Sequence, residues 1–493
     1  MGSKARQVKV LKVLKVLKVL KVLKILKILK ILKILKKGGF HMLPPKVNIS
    51  VPLATYRMIK NPYDLLTECY KEYGDIFSLR ALAGNFIYVS NLDLIKDIFS
   101  KHSKKFNTGE TVLFLEPFVG RHSLLLLDGQ EHARQRKLLT PPFHGEKMKM
   151  FTDLMRNAAH KMVDNWKAGQ TIMMRQEMQE VTLRIIVKSV FGEEMSRRTP
   201  EIIETVRGVL QLPTSLTFLP FLRLNLGKWS PWGKFLYWRE RIDKLVYAEI
   251  ARRRANPRLQ PEDVVDMMML SQDESGNFMT DKEIRDESLT LLFAGHETTA
   301  LSLTWLFIPL LQNPQVLKKL VAEIQSVVGE APIAAEMIPK LTYLDATIKE
   351  SMRVNNLFPI VARKTLEPLE LKGFEIPVGS IVAPCNMIVH HLESIYPEPL
   401  VFRPERFLDE SQHHPYSWLP FGGGNRRCIG MAFAQYEMKI ILASILPRIA
   451  LELIPGQDFR AQRLGLALAP PTGVKVKVVS VKPAPSEVLE LVH

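Results

Sequence analysis

Residues 420–430 read Pro-Phe-Gly-Gly-Gly-Asn-Arg-Arg-Cys-Ile-Gly, and a helix-forming pattern begins directly after them. The candidate metal ligand in this run is Cys428. A thiol at a helix N-terminus meets free N–H groups and the positive end of the helix dipole, which favour thiolate. No Cys or His stands at zinc spacing from it, which argues against zinc, whereas a single thiolate suits haem iron. The three glycines let the backbone pass close to a flat ligand or take positive φ. The alternative is a buried structural cysteine beside a glycine turn. For Cys69 and Cys385 that plainer role, a small buried hydrophobe, is the expected one. Three cysteines in 493 residues cannot form a disulfide framework.

A second run with chemical potential lies within the long apolar pattern 281–312. Gly295 is isolated there, at a cost of about 1 kcal/mol against alanine. The missing bulk lets a ligand approach the helix backbone, and Thr298 can hydrogen-bond locally where such helices widen. Further along, Glu350 and Arg353 are three residues apart and share a helix face.

These runs resemble the cytochromes P-450, the haem-thiolate monooxygenases. Phe421, Gly424, Arg426, Cys428 and Gly430 match the family's haem-binding signature. Three further motifs stand in the family's order: Ala294-Gly295-His296-Glu297-Thr298-Thr299, Glu350-Ser-Met-Arg353, and Pro404-Glu405-Arg406-Phe407. The resemblance covers about residues 42–480 and is closest to soluble bacterial members. It implies a mainly α fold with a minor β region, a single large haem-binding domain over 42–493. It implies haem b (iron protoporphyrin IX), with Cys428 as axial ligand of the iron. Phe421 would pack near the sulfur, and Gly424 and Gly430 would give the loop its tight path. Gly295 would open the oxygen-binding groove, and Glu297 and Thr298, with water, would deliver protons. The propionates would be held by Arg426, Arg363, Arg136 and His132, the last standing where the family often has Trp. Glu350, Arg353 and Arg406 would form a buried structural network. Arg134, Lys137 and Arg427 are left as a solvated face or a docking surface.

The activity so implied is insertion of one oxygen atom from O2 into a hydrophobic organic substrate. Val112, Leu113, Phe114, Phe118, Leu216, Phe218, Leu219, Phe221, Phe293, Ala294, Phe358, Ile360 and Val361 make the expected substrate segments apolar, which fits a fatty acid, alkane or terpenoid. No flavin or iron–sulfur module is visible, so the electrons are expected from a separate donor, a ferredoxin or flavodoxin with its reductase. Two rivals are an isomerase or peroxide-driven enzyme and a non-catalytic haem sensor. The intact Glu297-Thr298 pair and uninterrupted Cys loop argue against the first. The lack of a visible signalling module argues against the second.

These runs must be positioned by a body whose charge is nearly balanced. The chain carries 68 basic and 50 acidic residues, but thirteen of the basic ones lie in 1–41, which has no acid. Residues 42–493 thus hold 55 basic against 50 acidic residues, and no nucleic-acid partner is expected. From Lys9 to Leu35 the chain repeats Lys-Val-Leu and then Lys-Ile-Leu. A period of three gives no lasting apolar face on a helix, and a lysine at every third position opposes a membrane span. This low-complexity tail reads as a repeat expansion ahead of a start at Met42, with a weak contact to anionic membrane surface as the second reading. A cytoplasmic location is expected, peripheral at the membrane if the tail binds lipid. In the body, the patterns predict helices at 146–168, 180–192, 235–255, 281–312, 314–328 and 343–355. They also predict a hairpin over Ile76–Ser90 turning at Gly84-Asn85, short strands within 366–383, and a half-exposed strand at Val474, Val476 and Val478.

Overall fold

The computed structural model describes residues 42–192, 199–210, 223–258, 260–409, 411 and 413–484. The lysine-rich segment 1–41 and four of the expected substrate residues, Leu216, Phe218, Leu219 and Phe221, lie outside the described residues. The body expected as one domain over 42–493 divides into two units. The smaller contains residues 42–44 and 368–376. Its strands Leu369–Leu371 and Phe374–Ile376 form an antiparallel hairpin through Lys372 and Gly373, both at positive φ. The Glu375 N–H donates to the Met42 carbonyl at 3.0 Å.

The larger unit, Pro45–Glu367 with Pro377–His493, is mainly helical. Its central element is the helix Asp281–Gln312. A capping box starts it: the Glu283 N–H donates to Thr280 Oγ1 at 3.3 Å, and the Thr280 N–H to the Glu283 carboxylate at 2.7 Å. Its composition would suit a membrane span, yet from Asp286 to Leu310 it is sheathed in protein except at residues 293–295, 297 and 298. Burial on almost every side explains why its apolar residues do not gather on one face. The helices Met174–Phe191, Pro231–Ala255, Thr342–Val354 and Met431–Ile445 pack around it.

The predicted helices at 281–312 and 314–328 coincide with those found. The 235–255 pattern starts earlier, at Pro231, because Ser230 caps it by accepting the Gly233 N–H at 3.1 Å. The 146–168 pattern breaks into Glu146–Lys149 and Thr152–Asp164. The 180–192 pattern extends back to Met174 and ends at Gly192, whose φ is 73°.

The five-stranded sheet runs Ile76–Ala81, Gly84–Val89, Ile381–Pro384, Arg363–Thr365, Phe106–Asn107. Its first hairpin turns at Leu82-Ala83 and not at Gly84-Asn85, because pairing continues to Ala81 opposite Gly84. Gly84–Val89 pairs in parallel with Ile381–Pro384, so segments distant in sequence bring Arg363 into the middle of the unit. In a three-stranded sheet, Lys475–Val481 lies between Thr171–Met173 and Ile449–Leu453. There Val476 and Val478 are buried while Lys475 and Lys477 are exposed, as their alternation predicts.

Candidate active site

The Cys428 loop is closed by its own backbone. The Cys428 N–H donates to the Phe421 carbonyl at 2.9 Å, and Phe421 stacks edge-on against Trp418 at 5.9 Å. Gly424 has φ 67°, and a Cβ there would lie 2.5 Å from the Phe99 carbonyl. A Cβ on Gly423 would lie 2.5 Å from the Phe99 ring. These glycines are thus required by the close passage over the helix Leu92–Phe99, a protein contact that supplies a reason the sequence did not. Gly430 caps the helix Met431–Ile445.

Cys428 is a free thiol with open surface, yet surrounding protein atoms desolvate its sulfur. That burial raises its pKa, and the opposing pulls of the Gly430 N–H, Arg136 and Arg427 do not overcome it. The helix end alone does not offset that burial. Cys428 stands before the cap, outside the first turn where the dipole acts. Deprotonation then depends on a metal cation taking the proton's place.

His132, Arg136, Arg363 and Arg426 converge on one another, and Arg136 also acts on the Cys428 sulfur. His132 and Arg136 are one turn apart on the helix Gly129–Leu139, so they share a face. Arg363 comes from the sheet and Arg426 from the Cys loop. Arg426 donates to the Leu124 carbonyl at 3.3 Å, to the Leu127 carbonyl, and to the Asp128 carboxylate. Arg363 donates to the Ala362 carbonyl at 3.0 Å and to Gly423 at 3.3 Å, with its guanidinium 5.4 Å above the Phe99 ring. Among the described residues Arg136 has no ion pair and the His132 ring no hydrogen bond. Burial and the neighbouring Arg426 push Arg363 down to about 10. Burial with three guanidiniums pushes His132 down to about 3, so its ring is neutral. Buried cations held mostly by carbonyls leave strong donors for an added anion. The set fits a haem: a thiol for the iron, and cationic and imidazole donors for its two carboxylates.

The long helix is sealed except over residues 293–298, where Phe293, Ala294, Gly295, Glu297 and Thr298 have free surface. Thr298 Oγ1 donates to the Ala294 carbonyl at 2.6 Å, a bond back into its own helix. Glu297 accepts from Arg175 at 2.7 Å and Gln179 at 2.6 Å, both on the helix Met174–Phe191. A Cβ on Gly295 would lie 2.9 Å from Ile186 of the same helix. The missing side chain of Gly295 also admits Ile186 at this junction. Thus Gly295 and Glu297 serve the junction with that helix, and Ala294 with Thr298 lies one turn apart on another stripe.

Three carboxyls here went unassigned from the sequence. Glu437 is fully buried and hydrogen-bonded to Thr299, and burial raises its pKa well above the carboxylate range. Its Oε1 has no partner among the described residues. The available signal was an acid at the head of the apolar-rich run 437–445, which also holds Lys439 and Ser444. Glu287, pushed by burial up to about 8, accepts the Leu124 N–H at 2.7 Å and Gln135 at 3.1 Å. Asp286 accepts the His122 N–H at 2.9 Å. These two fix the loop whose carbonyls hold Arg426.

The remaining motif residues are structural or paired. Arg353 donates to Glu350 at 2.7 and 2.8 Å, Arg406 to Glu350 at 3.3 Å, and Arg353 to the His390 carbonyl at 2.7 Å. His390 Nε2 accepts the Leu419 N–H at 2.8 Å, tying this network to the Cys loop. Arg134 pairs with Asp273 and Glu283, and Lys137 with Glu274, which leaves Arg427 on that side. Cys69 and Cys385 are buried thiols, pushed by burial up to about 11 and about 12. Of the expected apolar lining, Phe118 packs on Phe235 at 5.0 Å and on Phe293 at 5.7 Å.

Residues 43–478 match the family model described as Cytochrome P450. A Mycobacterium tuberculosis protein assigned as cytochrome P450 135B1 is 33% identical over 443 residues, covering 88% of this chain and 91% of that protein. Another from the same species, assigned as cytochrome P450 135A1, is 35% identical over 78% of this chain and 84% of its own. The retinoic acid-bound structure of cyanobacterial CYP120A1 superposes with a TM-score of 0.80 at 24% identity, over 90% of this chain and all of that one. The cytochrome P450DA heme domain gives 0.80 at 22%, over 90% and 99%.

Proposed function

The chain belongs to the cytochrome P450 family and is a haem b-dependent monooxygenase, and from that premise we propose that it hydroxylates a hydrophobic substrate of the fatty acid, alkane or terpenoid class. Electrons would come from a ferredoxin or flavodoxin with its reductase. The reading keeps one catalytic body over 42–493, with 1–41 dispensable for turnover, and a cytoplasmic setting.

The observation that carries the site assignment is the buried cation cluster facing a free, accessible cysteine. When bound, haem supplies the oxygen activation and electron transfer. In this reading Cys428 would hold the haem iron through its sulfur, its own N–H fixed on the Phe421 carbonyl. Arg136, Arg363, Arg426 and His132 bind the propionates and fix the cofactor's orientation. Thr298 presents its hydroxyl on the open stretch of the long helix, where it can hold a water and pass a proton. Glu297 supports that position from its anchored place against Arg175 and Gln179, and reaches the pocket only by releasing them. Phe118 and Phe293 exclude water and orient an apolar substrate.

The test is spectroscopic and kinetic. The reduced, CO-bound protein should show the red-shifted Soret band of a thiolate ligand, lost in Cys428→Ala. Thr298→Ala should retain haem and substrate binding while diverting NADPH equivalents to peroxide or water. A normal band in Cys428→Ala would overturn the ligand assignment, and unchanged coupling in Thr298→Ala the proton role.

A further inference from the structure

Glu287 on the long helix Asp281–Gln312 and Gln135 on the helix Gly129–Leu139 are both buried, and each keeps one oxygen unused. Gln135 Nε2 donates to Glu287 Oε1 at 3.1 Å, and the Leu124 N–H donates to the same oxygen at 2.7 Å. Glu287 Oε2 and Gln135 Oε1 have no partner among the described residues. As a carboxylate oxygen and an amide oxygen, both are acceptors and cannot satisfy each other. Buried polar atoms are rarely left in that state. One proton resolves both. Placed on Oε2, it turns that atom into a donor for the amide oxygen, and the acid and the amide then match edge to edge.

The electrostatics agree with this reading. Burial is the main cause that raises the Glu287 pKa to about 8, Gln135 and the Leu124 N–H pull it back, and Asp286 and Glu283 on its own helix raise it further. Charged groups on the elements around it are engaged elsewhere. Arg134 pairs with Asp273 and Glu283, and Lys137 with Glu274. Arg285 pairs with Asp243 and Asp286, Arg239 with Asp243, and Arg121 with Glu116. Arg253 pairs with Glu249, Asp263 and Asp266, and Arg426 with Asp128. His132 is neutral, and Arg136 acts on the Cys428 sulfur.

The pair sits where it can hold the haem-carboxylate donors. The N–H of Leu124 is on Glu287, and its carbonyl accepts from Arg426 at 3.3 Å. One residue thus joins the buried acid to that guanidinium. The same loop is stitched to the helix on either side, by the His122 N–H on Asp286 at 2.9 Å and by the Thr290 and Ser123 hydroxyls at 2.7 Å. Gln135 lies between His132 and Arg136 on one short helix, so anchoring it fixes how that helix presents both.

We propose that Glu287 is held as a neutral carboxylic acid that gives its proton to Gln135 Oε1, and that this acid–amide pair positions Arg426, His132 and Arg136 for the haem carboxylates. Glu287 and Gln135 are positioning residues, since neither reaches the cofactor except through these neighbours. What the pair positions rests on the haem-site reading; the pair itself does not. The pH dependence has a definite sign. An unfolded Glu titrates near about 4.3, so between that value and about 8 the folded state binds the extra proton. This residue's contribution to stability is therefore full at low pH and is lost as pH rises toward 8.

The test uses the haem-loaded full chain labelled with ¹³C-glutamate, which separates protein carboxyls from those of the haem in infrared difference spectra. Wild type should show a labelled protonated-carboxyl band at pH 7 that fades with a midpoint near 8. Glu287→Gln should remove it and Glu437→Gln should not. Haem release to apomyoglobin reads the positioning role. Glu287→Gln keeps an acceptor for Leu124 and offers an N–H to Gln135, so at pH 7 its release rate should stay within about twofold of wild type, whereas Glu287→Leu should release haem about tenfold faster. Between pH 7 and 9.5 wild type should speed up about fivefold relative to Glu287→Gln, as ionisation breaks the pair. Absence of the band in wild type would overturn the pair, and that result depends on no variant folding. A band with an unchanged release ratio would overturn the positioning role, as would Glu287→Gln releasing haem as fast as Glu287→Leu. A missing thiolate CO band would instead break the haem-site reading and leave the infrared result standing.

Discussion

Two charge clusters are hydrogen-bonded to the Cys loop or to the segment leading into it, and they are built in opposite ways. Around Glu350, both cations reach the one carboxylate: Arg353 and Arg406 share it, and Arg353 also takes a backbone carbonyl. Glu350 and Arg353 have no exposed surface. Around Arg363 the balance fails, since three guanidiniums and a histidine gather near the Asp128 carboxylate. A cluster that completes itself is a girder. A cluster that burial leaves short of negative charge is a receptor for an anion, and the shortfall, more than the number of arginines, marks the cofactor site.

The largest effect should come from breaking the complete cluster. Arg353→Ala leaves Glu350 buried with only Arg406 beside it, and removing one partner of a buried pair costs about 3–5 kcal/mol. Denaturant unfolding should show a loss of that size, together with poor haem incorporation through the His390–Leu419 link. An unchanged midpoint would mean that the network is not the girder it resembles.

The second test is pH. His132 is held at about 3 in the fold, against about 6.5 in an unfolded chain. Between those values the unfolded state binds the extra proton, so stability falls as pH falls from 6.5 toward 3. The slope from this one residue approaches about 1.4 kcal/mol per pH unit. Haem-free wild type should therefore lose stability relative to His132→Gln between pH 6.5 and 4, roughly 3 kcal/mol over that range, and match it at pH 8. Added haem should shrink the difference, because its carboxylates favour the charged ring. Parallel profiles would show that His132 is not caged by the arginines.

A smaller effect separates receptor from girder most directly. Arg136→Gln removes a half-buried charge that has no ion pair among the described residues. Haem-free stability should hold or rise slightly, while haem affinity falls about tenfold, or about 1.4 kcal/mol. Haem-transfer kinetics to apomyoglobin would read this. Coupled loss of fold and haem binding would place Arg136 with the structural cluster.

The smallest concerns the helix that both clusters flank. Gly295→Ala gains about 1 kcal/mol of helix propensity but brings its Cβ to 2.9 Å from Ile186. A net destabilisation of about 1 kcal/mol or less is expected, relieved by adding Ile186→Val. Thermal unfolding of the single and double variants would decide whether Gly295 serves helix packing.

The motif order and the one cysteine in a glycine-rich loop were enough to assign the fold, the cofactor and Cys428, because those features depend on residue type and local spacing. So were the long helices at 281–312 and 314–328, whose apolar runs and caps are local signals. Tertiary structure alone decided the rest. The hairpin turn moved to Leu82-Ala83 because cross-strand pairing ran on to Gly84. Gly295 and Glu297 turned toward a neighbouring helix whose register the sequence does not print. The pKa values of Glu437 and Glu287 are raised because distant segments desolvate them. The deficit of negative charge around Arg363 arises where a helix, a strand and a loop meet. Charge balance in a buried volume is a property of what surrounds it in space, and one-dimensional spacing carries no record of that.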